Sequence, residues 1–359
     1  MKLKRIIILI CAVCLCLTAF YGCSRKDDAA DVHVFYYTYS DPYISTVRAA
    51  LDAELDDADI SYQDHDGNNN QTTQTEQIQT AITKGAKMIV VNIVTTGSDD
   101  AASGIVTLAK DADIPVIFFN REVSDGIVNS YDKCAFIGTD AAEAGYLQGD
   151  MIGDYVVDNY SAIDLNKDGK ISYVMFMGEK GNNEAIYRTQ YSVENADKKL
   201  VAAGKPKLEF YDKTNTDKYL LDRDGKWSAQ AANEYMTTIL ASYTPQNKNM
   251  IELIICNNDG MAEGAISALT AAGYNTGAED ALTVPVFGVD ATSAAVSLIG
   301  SGRMAGTIKQ DAEGMAEAIL KTVKNGLDEK DVLEGMDDYN IDEDVSKVRI
   351  SYDVYLGED

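Results

Sequence analysis

Between Asp164 and Arg188 the chain sets oxygen donors, an apolar run and a polar turn back to back, DLNKDGKISYVMFMGEKGNNEAIYR. Calcium, a hard cation, takes six to eight oxygens in loose geometry. Side chains at loop positions 1, 3, 5 and 9 and a carbonyl at 7 supply five of them, with a glycine at 6 making the turn. Asp164, Asn166, Asp168 and Ser172, the Lys170 carbonyl and Gly169 fall on those positions. Met175 stands where the closing bidentate glutamate belongs, and the residues after the loop read as a strand rather than a helix. The stretch is therefore not an EF-hand, and an ion here needs a carboxylate from elsewhere in the chain. The same residues also read as an Asp/Asn/Gly turn held by its own side chains.

A second polar set lies at the ends of apolar runs. Short apolar runs alternate with segments of helical period: strands are expected at Val32–Thr38, Ile60–Gln63, Met88–Asn92, Pro115–Asn120, Cys134–Thr139, Ile171–Met177, Lys207–Tyr211, Ile251–Asn258, Val284–Val289 and Ala305–Lys309. Between them helices such as Asp140–Val156, Asn183–Ala203 and Met261–Ala272 carry apolar pairs at helical spacing, for example Ile266/Leu269. Continuous apolar strands alternating with helices mean parallel sheets covered on both faces. Ten strands are many for one sheet, so two open α/β lobes are expected. The acidic tract Leu327–Asp344 reads as a solvated connection between them.

Ligands of open parallel sheets bind outside the carboxyl ends of the strands. Those ends carry Asp41, Tyr43, Asn120, Asn258, Asp290 and Gln310, to which the opening stretch adds Asn182, Glu184 and Arg188. Amides, carboxylates and one guanidinium suit a hydroxyl-rich ligand, because each hydroxyl donates once and accepts twice. Taken singly, an Asn or Asp at a strand–helix junction is equally a helix N-cap, and Arg188 a surface ion-pair partner. Trp227, the only tryptophan, follows a DRDGK loop and offers a flat apolar face to a ring.

The chain has 359 residues, 46% of them hydrophobic, and a net charge of −26, which argues against nucleic acid or an anionic membrane surface as partner. Met1 to Gly22 read as an export signal, with Lys2, Lys4 and Arg5 ahead of an apolar run too short to span a bilayer. Gly22-Cys23 looks like a bacterial lipobox, making residues 23–31 a lipidated tether at the outer face of the cell membrane. An uncleaved anchor also places the body outside the cytoplasm. Cys134 and Cys256 lie in apolar runs as core residues, and no CxxC or Cys/His metal pattern occurs.

At these residues the sequence resembles the galactose/glucose-binding periplasmic proteins of the ribose-type periplasmic binding superfamily. The motifs DLNKDGKI, GTDAAEAGYLQGD, GEKG…EAIYRTQY, NNDGMAEGAISAL, PVFGVDA and AGTIKQDA fall in the family's order. The resemblance implies a glutamate, Glu252, that completes the calcium loop. It implies a hexose site of Asp41, Asn120, Arg188, Trp227, Asn258 and Asp290, with Tyr43 and Trp227 sandwiching the pyranose. Three positions depart: Asn182 stands for a His, Glu184 for an Asp and Gln310 for an Asn. A repositioned bond or an unmet hydroxyl costs on the order of 1–3 kcal/mol, so the identity of the sugar is open. The stretch Lys213–Lys226 is also longer than in the family.

The resemblance further implies two Rossmann-like lobes with a ligand cleft between them. Residues 32–139 plus 310–345 form one, and 140–309 plus 346–359 the other. Three crossings join them, near Thr139–Asp140, near Gln310 and before Val348–Leu356. Closure on a monosaccharide then presents the liganded face to the permease of an ABC importer, or also to a chemoreceptor. The protein is expected to act as a monomer that touches the membrane only through its lipid. The rival readings are a sensor for a membrane signalling receptor and a glycoside hydrolase using Asp41, Glu184 or Asp290. Dehydrogenase chemistry lacks a G-x-G-x-x-G after a strand. Serine hydrolase chemistry lacks its nucleophile elbow, and the only histidines, His33 and His65, lie near the N-terminus.

Overall fold

A computed structural model of the chain describes residues 30–357; the expected export signal and Cys23 lie outside them. The first half runs β1 (Val32–Tyr36), α1 (Pro42–Asp57), β2 (Tyr62–Asp66), α2 (Gln71–Thr83), β3 (Met88–Val91), α3 (Asp100–Asp111), β4 (Val116–Phe119), the short α4 (Asp125–Val128) and β5 (Cys134–Gly138). The second runs α5 (Ala141–Ile163), β6 (Ser172–Met177), α6 (Asn183–Ala202), β7 (Glu209–Phe210), β8 (Leu220–Leu221), α7 (Ala229–Leu240), β9 (Leu253–Cys256), α8 (Asp259–Ala271), β10 (Val286–Asp290), α9 (Ser293–Gly300) and β11 (Gly306–Gln310). α10 (Ala312–Leu327), β12 (Asn340–Ile341), β13 (Lys347–Arg349) and β14 (Tyr352–Tyr355) close the chain.

These strands form two seven-stranded sheets. The first has the order β12-β13-β5-β4-β3-β1-β2, and the second β14-β11-β10-β9-β6-β7 with β8 also against β6. All pairings are parallel except the two edge pairs, β12–β13 and β11–β14. Residues of β3, β4, β5, β9 and β10 are buried at every position, as a sheet covered on both faces requires. Alternation along β1 shows the two faces: Val34 and Tyr36 pack with α1 and α10, Phe35 with α2 and α3. Among the described residues no helix is long and apolar enough to cross a membrane.

The chain passes between the sheets from β5 to α5, from β11 to α10 and from β13 to β14. The last passage falls at Ile350–Ser351, beyond the expected 345/346 boundary. Lys347–Arg349 pairs in parallel with β5 of the first sheet, while Tyr352–Tyr355 pairs antiparallel to β11 of the second. The expected final segment Val348–Leu356 is thus two strands in two sheets. The tract Leu327–Asp344 is not simply a solvated connection: Val332 and Met336 are buried in the first lobe's core, and β12 adds to its sheet.

Two features set the backbone behind the cleft. A Cβ at Gly149 would lie 2.6 Å from Asn195 Cβ and 2.7 Å from Ser192 O, so only glycine lets α5 pack so closely on α6, the helix that carries Arg188. At the passages, Thr139 Oγ1 and Tyr352 Oη share a 2.7 Å hydrogen bond, and Arg349 Nη1 donates to Thr139 O at 2.8 Å. Arg349 also pairs with Glu122 and Asp342, which ties the third passage to the first lobe.

Candidate functional site

Reading the strand ends in order places three residues on the first sheet's side: Asp41 and Tyr43 after β1, and Asn120 at the end of β4. The second sheet supplies Asn182, Glu184 and Arg188 after β6, Trp227 before α7, Asn258 after β9, Asp290 ending β10 and Gln310 ending β11. All ten line one cavity. Tyr37, Ile44 and Arg121 line it too. The strand-end rule reaches Tyr37 and Arg121, since each directly follows a strand or a chosen residue. Tyr37 falls inside the apolar run Val32–Thr38, and Arg121 directly follows Asn120, so neither is singled out by its own position.

The N-cap reading and the cleft reading hold together. Asp41 Oδ1 accepts from Ile44 N at 2.8 Å, Asn182 Oδ1 from Ala185 N at 3.0 Å, and Asn258 Oδ1 from Met261 N at 2.9 Å. Capping fixes each side chain at the cavity wall and satisfies an orphan helix donor at once. Asn182 is more committed than expected, because its Nδ2 also donates to Thr96 Oγ1 at 3.3 Å. Both ends of that amide are therefore engaged by protein.

Asn120, Trp227 and Asp290 are held differently. Their φ values are +59°, +55° and +125°. Such conformations cost non-glycine residues on the order of 1–3 kcal/mol each and gather at functional sites. For Trp227 the surroundings show what holds it: a Cβ at Gly178 would lie 2.1 Å from the indole, so the ring rests on bare backbone at the end of β6.

Arg188 is 3% exposed and sits at the centre. Its Nη1 donates to Asn257 O at 2.9 Å, and its Nη2 to Tyr352 Oη at 2.8 Å and Gln310 Oε1 at 3.3 Å. It is no surface ion-pair residue. Its Nε, both carboxylate oxygens of Glu184 and Nε2 of Gln310 are buried without a protein partner. Burial pushes the Glu184 carboxyl above its usual range, against the pull of Arg188. Burial raises Asp290 still more strongly, again opposed by Arg188. Behind Asp290, Asp259 accepts from Thr307 Oγ1 at 2.7 Å and Thr292 N at 2.8 Å, and burial pushes its carboxyl up to about 7. The walls thus offer unmet acceptors and donors side by side, a match for hydroxyl groups that do both.

The loop Asp164–Ser172 lies against Glu252. Glu252 Oε1 accepts from Asn166 N at 2.9 Å and its Oε2 from Ser172 N at 2.8 Å. Asp164 accepts from the Asp168 and Gly169 amides, both at 3.1 Å. Two expected donors are turned to the main chain: Asn166 Oδ1 accepts from Met250 N at 2.7 Å, and Ser172 Oγ donates to Met250 O at 2.9 Å. Lys170 pairs its ammonium with Glu209 at 2.7 Å. Among the described residues no group of three or more His, Cys, Asp or Glu side chains is gathered tightly enough to hold a metal by itself.

Residues 32–331 match the family model described as a periplasmic binding protein domain. The chain belongs to that family. It is 34% identical over 317 residues to the D-galactose/methyl-galactoside binding periplasmic protein MglB of Haemophilus influenzae, covering 88% of this chain and 87% of the relative. A putative rhizopine-binding protein of Rhizobium meliloti is 28% identical, covering 92% and 94%. Among solved structures, an ABC transporter solute-binding protein of Bacillus halodurans with bound myo-inositol is 25% identical, with a TM-score of 0.67 and coverage of 92% and 96%. One from Clostridium phytofermentans with bound β-D-glucose is 20% identical, with a TM-score of 0.68 and coverage of 90% and 93%, and shows the shared fold. Both sheets thus belong to a periplasmic binding protein, a family of substrate-binding proteins rather than enzymes.

Proposed function

We propose that this protein captures an uncharged monosaccharide of the glucose/galactose type outside the cytoplasm and delivers it to the permease of an ABC importer. The observation that carries this is the convergence of ten side chains from both sheets on one cavity, with Glu184, Arg188 and Gln310 holding polar atoms no protein group meets. A ring hydroxyl meets such atoms, and Trp227 supplies an apolar face. Contacts from both lobes exist only in the closed arrangement, so the ligand shifts the population toward it by its differential affinity. The importer then reads the closed form. The galactose-binding name of the 34% identical relative supports a hexose. The longer side chains of Glu184 and Gln310 and the engaged amide of Asn182 are where the choice among hexoses is made. Calorimetry against D-galactose, D-glucose, D-ribose and myo-inositol tests the reading. Saturable heat with at least one hexose is expected, and no heat with any of the four rejects it.

We also infer that Asp164, Asp168 and Glu252, with the Lys170 carbonyl and the Asn166 and Ser172 side-chain oxygens, hold a structural calcium ion. Glu252 is 1% exposed, and burial raises its carboxyl, with Asp164 adding to the rise. No Lys or Arg among the described residues pairs with any of the three carboxylates. An amide oxygen has two lone pairs, so Asn166 Oδ1 serves Met250 N and an ion together. Calcium supplies the missing positive charge and ties the loop to Glu252, the residue just before β9.

A further inference from the structure

Arg121 and Glu179 form a buried bridge across the cleft. Arg121 follows Asn120 at the end of β4, in the first sheet. Glu179 follows Gly178 at the end of β6, in the second. Arg121 Nη2 donates to Glu179 Oε2 at 2.5 Å, and the two side chains are 5% and 17% exposed. The same nitrogen donates to Val94 O at 2.9 Å, and the guanidinium lies over the Tyr37 ring, 4.4 Å from its centroid. Tyr37 in turn donates to Asp41 at 2.7 Å. On the other side, Glu179 Oε2 accepts from the Trp227 indole at 3.4 Å. Nearby, Asn182 reaches Thr96 at 3.3 Å and Asn183 reaches Glu122 at 3.1 Å, both between the lobes.

We propose that the Arg121–Glu179 pair is a closure latch that sets how long the ligand is retained. The inference rests on capture between two lobes, as argued above. When the lobes part, each charge regains water; when they shut, both are desolvated together. The attraction and the desolvation largely offset one another. The pair's force therefore lies in matching: removing one partner leaves the other buried and uncompensated, a penalty felt only by the closed form. Removing both charges lifts most of that penalty. Arg121 and Glu179 are thus positioning residues, holding Tyr37 and the Trp227 indole at the wall of the cavity.

Trp227, the chain's only tryptophan, is 8% exposed and bonded to the latch, so its accessibility reports closure without any added label. The test compares wild type, R121Q, E179Q and R121Q/E179Q by acrylamide quenching of Trp227, with and without saturating D-galactose, and by stopped-flow release of D-galactose. Each single variant is expected to release the sugar at least about fivefold faster and to quench more readily when unliganded, with the double variant returning most of the way, a non-additive cycle. R121Q is the decisive single change because it leaves the tryptophan's own partner in place. Equal quenching and release in wild type and R121Q overturns the latch, as does a double variant whose effects simply add. Should D-galactose not bind wild type, release is followed with whichever hexose gives saturable heat; should none of D-galactose, D-glucose, D-ribose and myo-inositol bind, the proposed ligand class fails. The unliganded comparison then still decides the latch, and a Trp227 as open in wild type as in R121Q rejects it.

Discussion

Asp290 concentrates the demands placed on single residues in this cleft. It ends a fully buried strand at a φ of +125°, is 7% exposed, and carries a carboxyl that burial drives upward while Arg188 opposes it. A side chain held at such cost is expected to give the cost back to a ligand. Replacing Asp290 with Ala should weaken hexose binding at least about tenfold, as the loss of a charged hydrogen bond of roughly 1.5–3 kcal/mol implies. Calorimetry showing undiminished affinity would take Asp290 out of the ligand's reach. At this scale much of the site was legible, because strand ends in an open sheet are where side chains converge. What stayed hidden was double duty. Nothing in the sequence says that Asn182 spends one end of its amide on a cap and the other on Thr96, or that Arg121 crosses to Glu179.

Among the elements, the loop between α5 and β6 is the clearest to read and the most informative to perturb. Its oxygen spacing is local in sequence, whereas Glu252 is the residue just before β9 and is reached only through family resemblance. Glu252→Gln should abolish high-affinity calcium binding and with it the rise in melting temperature on adding calcium, since an ion bound only to the native state stabilises by mass action. A melting temperature indifferent to chelator in the wild-type protein would remove the ion from the account. The elements that escaped notice are short or split. β8 and β12 have two residues each, too few for any period to show. The strand pair at the C-terminus lacks a glycine or proline between Arg349 and Tyr352 to mark the change of sheet. The acidic tract after α10 hides two apolar anchors, Val332 and Met336, among carboxylates, and composition outweighed them.

Seen whole, the molecule is two parallel sheets whose carboxyl ends meet, threaded by three passages bound together through Thr139, Tyr352, Arg349, Arg188 and Gln310. Alternation of apolar runs with helices announces the two sheets, but only the third dimension shows that side chains from Asp41 to Gln310 share one space. That shared space and its occupancy by a neutral ring are the claim on which capture and delivery stand. A crystal structure grown with saturating D-galactose tests it most directly. The sugar ring should lie against Trp227 and Tyr43, with its hydroxyls on Asp41, Asn120, Glu184, Arg188 and Asp290 and the Arg121–Glu179 bridge closed over it. A structure with the cavity vacant and the sugar elsewhere, or with Asp41 and Asp290 facing separate bodies of solvent, would contradict it.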